Sequence, residues 1–317
     1  MYSTARSTTG ANKGASMKRL FLSSVAFLAL NVAGSALAAD MARPVYKAPP
    51  PPPPPPVYNW TGCYVGAGAG YGMFNRDREV IALGDTFIGD TQTIAITVKG
   101  DQQFGNETFG GRGWLGTAQF GCDYQFAGPF GGNWVVGAFI DGDWSNIRGD
   151  QALFTTFRGE AQLRSSWAVG GRIGWLVTPN LLTYFSAGYT RAKFDEVNYV
   201  NTLTNSSIIQ AAPLTVLVVS AAPGAALQLG SQTYSGFFIG SGVEYAIQWW
   251  PGLFWKTEYR FADYRSETTP LICPSCSIVL DSGGLTERVH PYVQTVRSEL
   301  VWRFNWGKGP VAVRAAY

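Results

Sequence analysis

The sequence predicts an all-β fold: an eight-stranded antiparallel up-and-down transmembrane β-barrel. Three observations carry that expectation. From Trp60 onward, apolar residues alternate with small or polar ones at period two, the spacing of a strand with two unlike faces. Charged residues are 14% of the chain, where a soluble domain carries about 25%, and aromatics are another 14%. The gaps between alternating segments are short and long in turn, as in a barrel with tight turns on one side of a membrane and long loops on the other.

The elements follow in chain order. Met17-Lys18-Arg19 is a short basic segment, Leu20 to Val32 is apolar, and Ala36-Leu37-Ala38 is a small-residue cleavage site. Together they read as a secretory signal peptide within 1–38, because the apolar run is too short to cross a bilayer. Residues Met1 to Ser16 carry no pattern, so Met17 is the expected initiator. Cleavage after Ala38 removes Arg6, Lys13, Lys18 and Arg19 and no acid, so Lys plus Arg falls from 24 to 20 against 21 acids. A near-neutral mature chain gives no electrostatic reason to bind nucleic acid. Residues 39–57 are a linker whose eight consecutive prolines, Pro49 to Pro56, form a stiff polyproline II rod of roughly 25 Å.

Residues 58–306 are expected to be the barrel and 307–317 a tail. The eight strands are read at Trp60–Phe74, Gly113–Phe126, Asn133–Ile147, Gln162–Val177, Asn180–Ala192, Tyr234–Gln248, Leu253–Arg265 and Tyr292–Trp306. Each is about the length that crosses a bilayer as a tilted strand. Ala127-Gly128-Pro129, Thr178-Pro179 and Trp250-Pro251-Gly252 fill the short gaps. The best helical span, Ile208 to Leu229, is interrupted by Pro213, Pro223 and Gly224. The third long loop, Lys193 to Thr233, is unusually apolar, so part of it is expected to extend the fifth and sixth strands or fold over the barrel mouth.

Alternation alone does not say which face meets lipid, since a lipocalin-like barrel places its apolar face inside. Three features favour apolar-out, the first being the alternation of short and long loops. Trp60, Trp134, Trp144, Trp175, Trp302 and Trp306 gather near strand ends, as membrane girdles do, and the polar face mixes charges with Gly. Parity then sends Arg164, Arg172, Lys256, Arg260, Arg297 and Arg303 into the lumen, together with Asp123, Asp141, Asp143, Glu244, Glu258 and Glu299. An eight-stranded interior is just wide enough for side chains to fill, so these charges are expected to pair into a network that plugs it. A selective pore tends instead to carry a ring of one sign.

Several segments match a known pattern. Asn59-Trp60-Thr61-Gly62-Cys63-Tyr64-Val65-Gly66 is an opening strand, Gly170 to Trp175 a fourth, and Ser241 to Ala246 followed by Trp255 to Tyr259 a sixth and seventh. With Arg297 to Phe304 as the last strand, the chain resembles the small outer-membrane β-barrel proteins of alphaproteobacteria, the immunogenic outer-membrane protein or porin family. The resemblance runs from Trp60 to the C-terminus. It implies location in the outer membrane and little about activity, since such proteins are described mostly as abundant surface proteins, some with haem-binding or adhesion roles. Cys63, Cys122, the Cys273/Cys276 pair and a recognisable last strand that ends before the C-terminus depart from the pattern.

Other constellations carry less. Gly66 to Gly72 places Gly at every second position, which suits small lumen-facing residues better than a phosphate loop, because no helix follows. Cys273-Pro274-Ser275-Cys276 reads as a local loop disulfide, because neither a redox setting nor further zinc ligands accompany it. Cys63 and Cys122 lie near the short-turn ends of adjacent strands, and a bridge is expected if their Cα atoms approach within about 7 Å. His290 is the one histidine, with no Ser and no Asp near it in sequence, so no enzyme activity, cofactor or metal is expected. The function expected is structural: a monomeric, surface-exposed barrel supporting outer-membrane integrity. Its partners would be membrane lipid, lipopolysaccharide and the assembly machinery. A porin-like diffusion channel, and a haem- or host-binding protein acting through its loops, are the alternatives.

Overall fold

The computed structural model describes residues 58–304, apart from 83–85, 89–94, 99–101, 129–130, 154–156, 203–208, 212–215, 220–225, 275–278 and 282–284. The segments expected to be signal peptide, proline linker and C-terminal tail, together with Trp306 and Cys276, lie outside the described residues.

Eight long strands form the wall: β1 (Gly62–Ala82), β2 (Gln102–Ala127), β3 (Asn133–Leu153), β4 (Phe157–Thr178), β5 (Leu181–Phe194), β6 (Gln232–Ala246), β7 (Leu253–Tyr264) and β8 (Leu285–Phe304). Each pairs antiparallel with its sequence neighbour, and β1 pairs with β8, so the sheet closes without an edge. Closure matters because an open edge would leave unpaired backbone groups in lipid. The short turns follow the expected breaks. Gly252 takes φ 87° in the Trp250-Pro251-Gly252 turn, a left-handed conformation that favours glycine. The even-numbered glycines of β1 face inward at close approach. A Cβ at Gly68 would collide with the Ser298 carbonyl of β8, so only glycine allows the β1–β8 backbones their curvature there.

The strands begin close to where the sequence places them at the short turns, and all but β7, which ends at Tyr264, run further at the other end. β1 reaches Ala82, eight residues past the expected Phe74, and β2 begins at Gln102 rather than Gly113. Segments of loops three and four continue the wall. Val197–Asn201 pairs with β4 and with Ala226–Leu229, which pairs with Glu267–Ile272, which pairs with β8. The third loop therefore extends the fifth and sixth strands. Five further short segments, from loops one, three and four, form a separate sheet ordered Val279–Asp281, Thr86–Ile88, Ala95–Val98, Val216–Val219, Ile209–Ala211.

The extra length escapes a scan for lipid-facing strands because the alternation changes phase. Toward the short turns the outward face is apolar, with Phe120, Ile140, Ile173, Phe185, Trp255 and Leu300 exposed. Toward the long loops the outward face carries Asn75, Asp77, Arg148, Asp150, Lys193 and Asn198, while Val80, Leu153, Phe157, Val197, Leu227 and Val289 are buried inside. One half of the wall is built for lipid outside and the other for water outside. A bilayer crossing takes about 9–11 tilted strand residues. β1 has 21 and β8 has 20, so about half of each stands clear of the membrane.

Cys63 faces Cys122 in the β1–β2 register, and the two form a disulfide with Cα atoms 3.9 Å apart. The pair sits at the short-turn end of the wall. Cys273 is disulfide-bonded as well.

Candidate functional site: the charged lumen

Inward-facing positions of the lipid-embedded half carry charge in three layers. Nearest the short turns, Arg172 of β4 and Arg303 of β8 alternate with Asp123 of β2 and Glu244 of β6. Arg172 donates to both Asp123 oxygens and, at 3.0 Å, to Glu244. Arg303 donates to Asp123 at 2.7 Å and to Glu244 at 3.0 and 2.7 Å. These four side chains form a neutral square with no side chain more than 1% exposed. Tyr64 and Tyr184 stack against Arg172, while Trp60 and Phe254 stack against Arg303.

The second layer is centred on Lys256, which lies 3.1 Å from Glu258 and 3.3 Å from Glu299 and donates to Gln119 at 2.7 Å. Tyr184 donates to Glu258 and Thr117 to Glu299. In the third, Arg260 makes two bonds to Asp141 at 3.0 and 2.8 Å, and Arg297 reaches Asp141 at 3.0 Å and Asp143 at 2.6 Å. Arg260 also donates to Glu258, joining the second and third layers. Each base faces at least two acids. That geometry is needed where an unpaired charge would lack solvation.

Eleven of the charges that parity sends inward are buried in these layers: Asp123, Asp141, Asp143, Arg172, Glu244, Lys256, Glu258, Arg260, Arg297, Glu299 and Arg303. Arg164 is not among them. Its side chain is 63% exposed on the outer face, 3.9 Å from Asp195. The pairing of β4 with β5 shifts between Leu163 and Ser165, and such a bulge moves the next side chain to the opposite face. Trp60 is a second correction. It is fully buried, not part of an outer girdle, and its indole donates to the Pro179 carbonyl beneath Arg303.

Three interior charges escaped the sequence reading: Arg76, Arg78 and Glu287, all buried in the water-exposed half. Arg78 lies 3.9 Å from Glu287, and Tyr199 bridges them by accepting from Arg78 and donating to Glu287, both at 3.2 Å. Between this cluster and the three layers sits an apolar tier that includes Phe74, Leu115, Ile147, Leu163 and Phe194. The signal for the cluster lies in β1, where Asn75, Asp77 and Glu79 alternate with Arg76, Arg78 and Val80, a run with no consistent apolar face.

His290 sits on the outer face of β8. One ring nitrogen lies 2.8 Å from Asp263 and the other 3.1 Å from the Tyr292 hydroxyl. Asp263 is an acid neighbour that a separation of 27 residues hides in the sequence. The two contacts fix the imidazole between a carboxylate and a phenol on the outer face.

No family model matches the chain. Two curated relatives, from Brucella melitensis biotype 1 and Brucella suis biovar 1, are both named 31 kDa outer-membrane immunogenic protein. Each is 26% identical over 293 residues, covering 91% of this chain and 100% of its own length. Among solved structures, the outer membrane protein OprG from Pseudomonas aeruginosa matches at 12% identity and TM-score 0.35, over 75% of this chain and 98% of its own. The attachment invasion locus protein Ail of Yersinia pestis matches at 10% identity and TM-score 0.25, over 75% and 99%.

Proposed function

We propose that this chain, an outer-membrane β-barrel protein homologous to the 31 kDa outer-membrane immunogenic proteins, is a closed structural barrel that displays its long loops at the cell surface and does not conduct solutes. The single observation that carries this reading is the stack of paired charges across the lumen. It is bounded by buried Trp60 below and the apolar tier above. The lumen bases of the lipid-embedded half are Arg172, Lys256, Arg260, Arg297 and Arg303. The acids are Asp123, Asp141, Asp143, Glu244, Glu258 and Glu299, so five bases meet six acids. Mixed sign and mutual contact suit a plug and not a selectivity ring. The interior of an eight-stranded barrel leaves no aqueous channel once side chains fill it.

The loops supply the surface role. Their bases are fixed in a β-wall that rises beyond the lipid. The name of the relatives supports exposure to the outside. The protein folds as a monomer through the outer-membrane assembly machinery and contributes to envelope integrity as a rigid inclusion.

Single-channel recording on refolded protein in a planar bilayer tests the reading. A closed barrel gives a flat baseline at potentials where an open porin gives stable steps. Large, long-lived openings would replace the plug with a diffusion channel.

A further inference from the structure

Two register irregularities lie side by side on the outer face at the level where lipid gives way to water. One falls between Trp144 and Ile147 in the β3–β4 pairing, the other between Leu163 and Ser165 in the β4–β5 pairing. Bulges disrupt the hydrogen-bond ladder and re-aim side chains. Here they open a surface groove of about 710 Å³ lined by Trp114, Trp144, Asn146, Arg164 and Ser165. Its floor is bare at Gly116, where a Cβ would meet nothing within 4 Å.

The charge around the groove is unbalanced. Arg112 stands directly opposite Arg148 in the β2–β3 register. Like charges directly opposite destabilise a sheet unless something of opposite sign lies between them. Arg148 leans to Glu160 at 3.3 Å, both side chains about half exposed, and Arg112 has no ion pair among the described residues. Arg164 is turned out beside them, 3.9 Å from Asp195, and Lys193 follows on β5 opposite Ser165. The acids Asp150 and Glu160 form the next cross-strand pair on the water side. On the lipid side lie Trp114, Trp144 and Trp167, exposed by 71%, 64% and 42%, the placing of an interfacial aromatic belt.

We propose that this groove binds the phosphorylated headgroup of an outer-leaflet glycolipid. Arg112, Arg148 and Arg164 hold the phosphate oxygens, and Trp114 and Trp144 pack against the sugar and the upper acyl chain. Arginine suits the task because its planar fork bonds phosphate through two N–H groups at once. A membrane-anchored ligand fits better than a free anion. The bases sit on the lipid border, and the acids lie across the approach from water. The inference rests on location in the outer membrane and not on closure of the lumen, so lipid binding and conductance are read separately.

The test titrates refolded protein in neutral detergent with bisphosphorylated lipid A, with fully dephosphorylated lipid A, and with inorganic phosphate. The wild type is expected to bind the bisphosphorylated lipid at least about 10-fold more tightly than the dephosphorylated one. Arg112→Gln/Arg148→Gln/Arg164→Gln loses that preference. Arg158→Gln/Arg265→Gln/Arg288→Gln, which removes the same charge elsewhere on the outer face, keeps it. Gly116→Phe fills the groove without touching its charge and weakens binding of both lipids. Should the first triple variant fail to refold, Arg164→Gln, at a largely exposed position, carries the test with Gly116→Phe. Unchanged affinity in those variants overturns the proposal. So does equal loss in the second triple variant, or displacement of the lipid by inorganic phosphate at millimolar concentration.

Discussion

Glu244 closes the layer of paired charges nearest the short turns. Its carboxylate is fully buried and accepts three bonds, one from Arg172 and two from Arg303. Glu244→Ala leaves two guanidinium groups sharing Asp123 in a space closed to bulk solvent. Breaking a buried pair by deleting one partner costs about 3–5 kcal/mol, because the other charge stays desolvated and uncompensated. With a urea slope of about 2–3 kcal/mol per molar, the unfolding midpoint falls by about 1–2 M. The assay is urea unfolding of protein refolded into vesicles, followed by tryptophan fluorescence and by the heat-sensitive mobility of the folded barrel on gels. The decisive comparison is the double variant Glu244→Ala/Arg303→Met. It returns the square to one base and one acid, Arg172 with Asp123, and should recover part of the loss. A coupling of about 1 kcal/mol or more is expected for residues in one network. If Glu244→Ala lies within about 0.5 kcal/mol of the wild type, or if the two losses simply add, charge pairing is not what holds the lumen together.

Glu258→Ala should be milder than Glu244→Ala, since Lys256 keeps Glu299 and Gln119 and Arg260 keeps both bonds to Asp141; a larger midpoint shift for Glu258→Ala would contradict this layering. Trp60→Ala removes a fully buried side chain from under Arg303 and should destabilise by about 3–5 kcal/mol in the same assay. Reduction of Cys63–Cys122, which closes a loop of 59 residues, should lower the urea midpoint by up to about 4 kcal/mol equivalent while leaving the circular dichroism of the refolded barrel intact. Gly68→Leu should block refolding, read as loss of the compact gel band, because its side chain would enter the β8 backbone.

Much of this architecture is legible in the residues. Period-two alternation, few charges and unequal gaps lead to eight closed strands, and parity leads to the inward charges, because both depend only on local spacing. The Cys63–Cys122 pairing is foreshadowed because antiparallel pairing sets the start of β1 beside the end of β2. What parity misses has a local cause in each case. Arg164 is misplaced because one unpaired residue in β4 reverses every assignment beyond it, and no Gly or Pro marks the bulge. Trp60 precedes β1, so strand parity does not apply to it. Arg76, Arg78 and Glu287 are missed because inward and outward exchange character where water replaces lipid. A search that fixes the apolar face outward stops at that border. Asp263 meets His290 only through the β7–β8 pairing, which has no counterpart in sequence distance.

The change of phase along the wall also sets how deep the protein can sit. Sliding the barrel inward by one cross-strand pair, a few ångströms, would draw Asp77, Arg112, Arg148 and Lys193 into hydrocarbon. Each such charge costs up to about 2–4 kcal/mol at the midplane and less near the interface. Sliding it outward would lift Phe120, Ile140, Ile173, Phe185 and Leu300 toward water and forfeit their burial. The barrel therefore sits in a steep vertical well set by its own wall, much as a keeled float holds its waterline. Everything carried on the upper rim is held at a fixed distance from the cell.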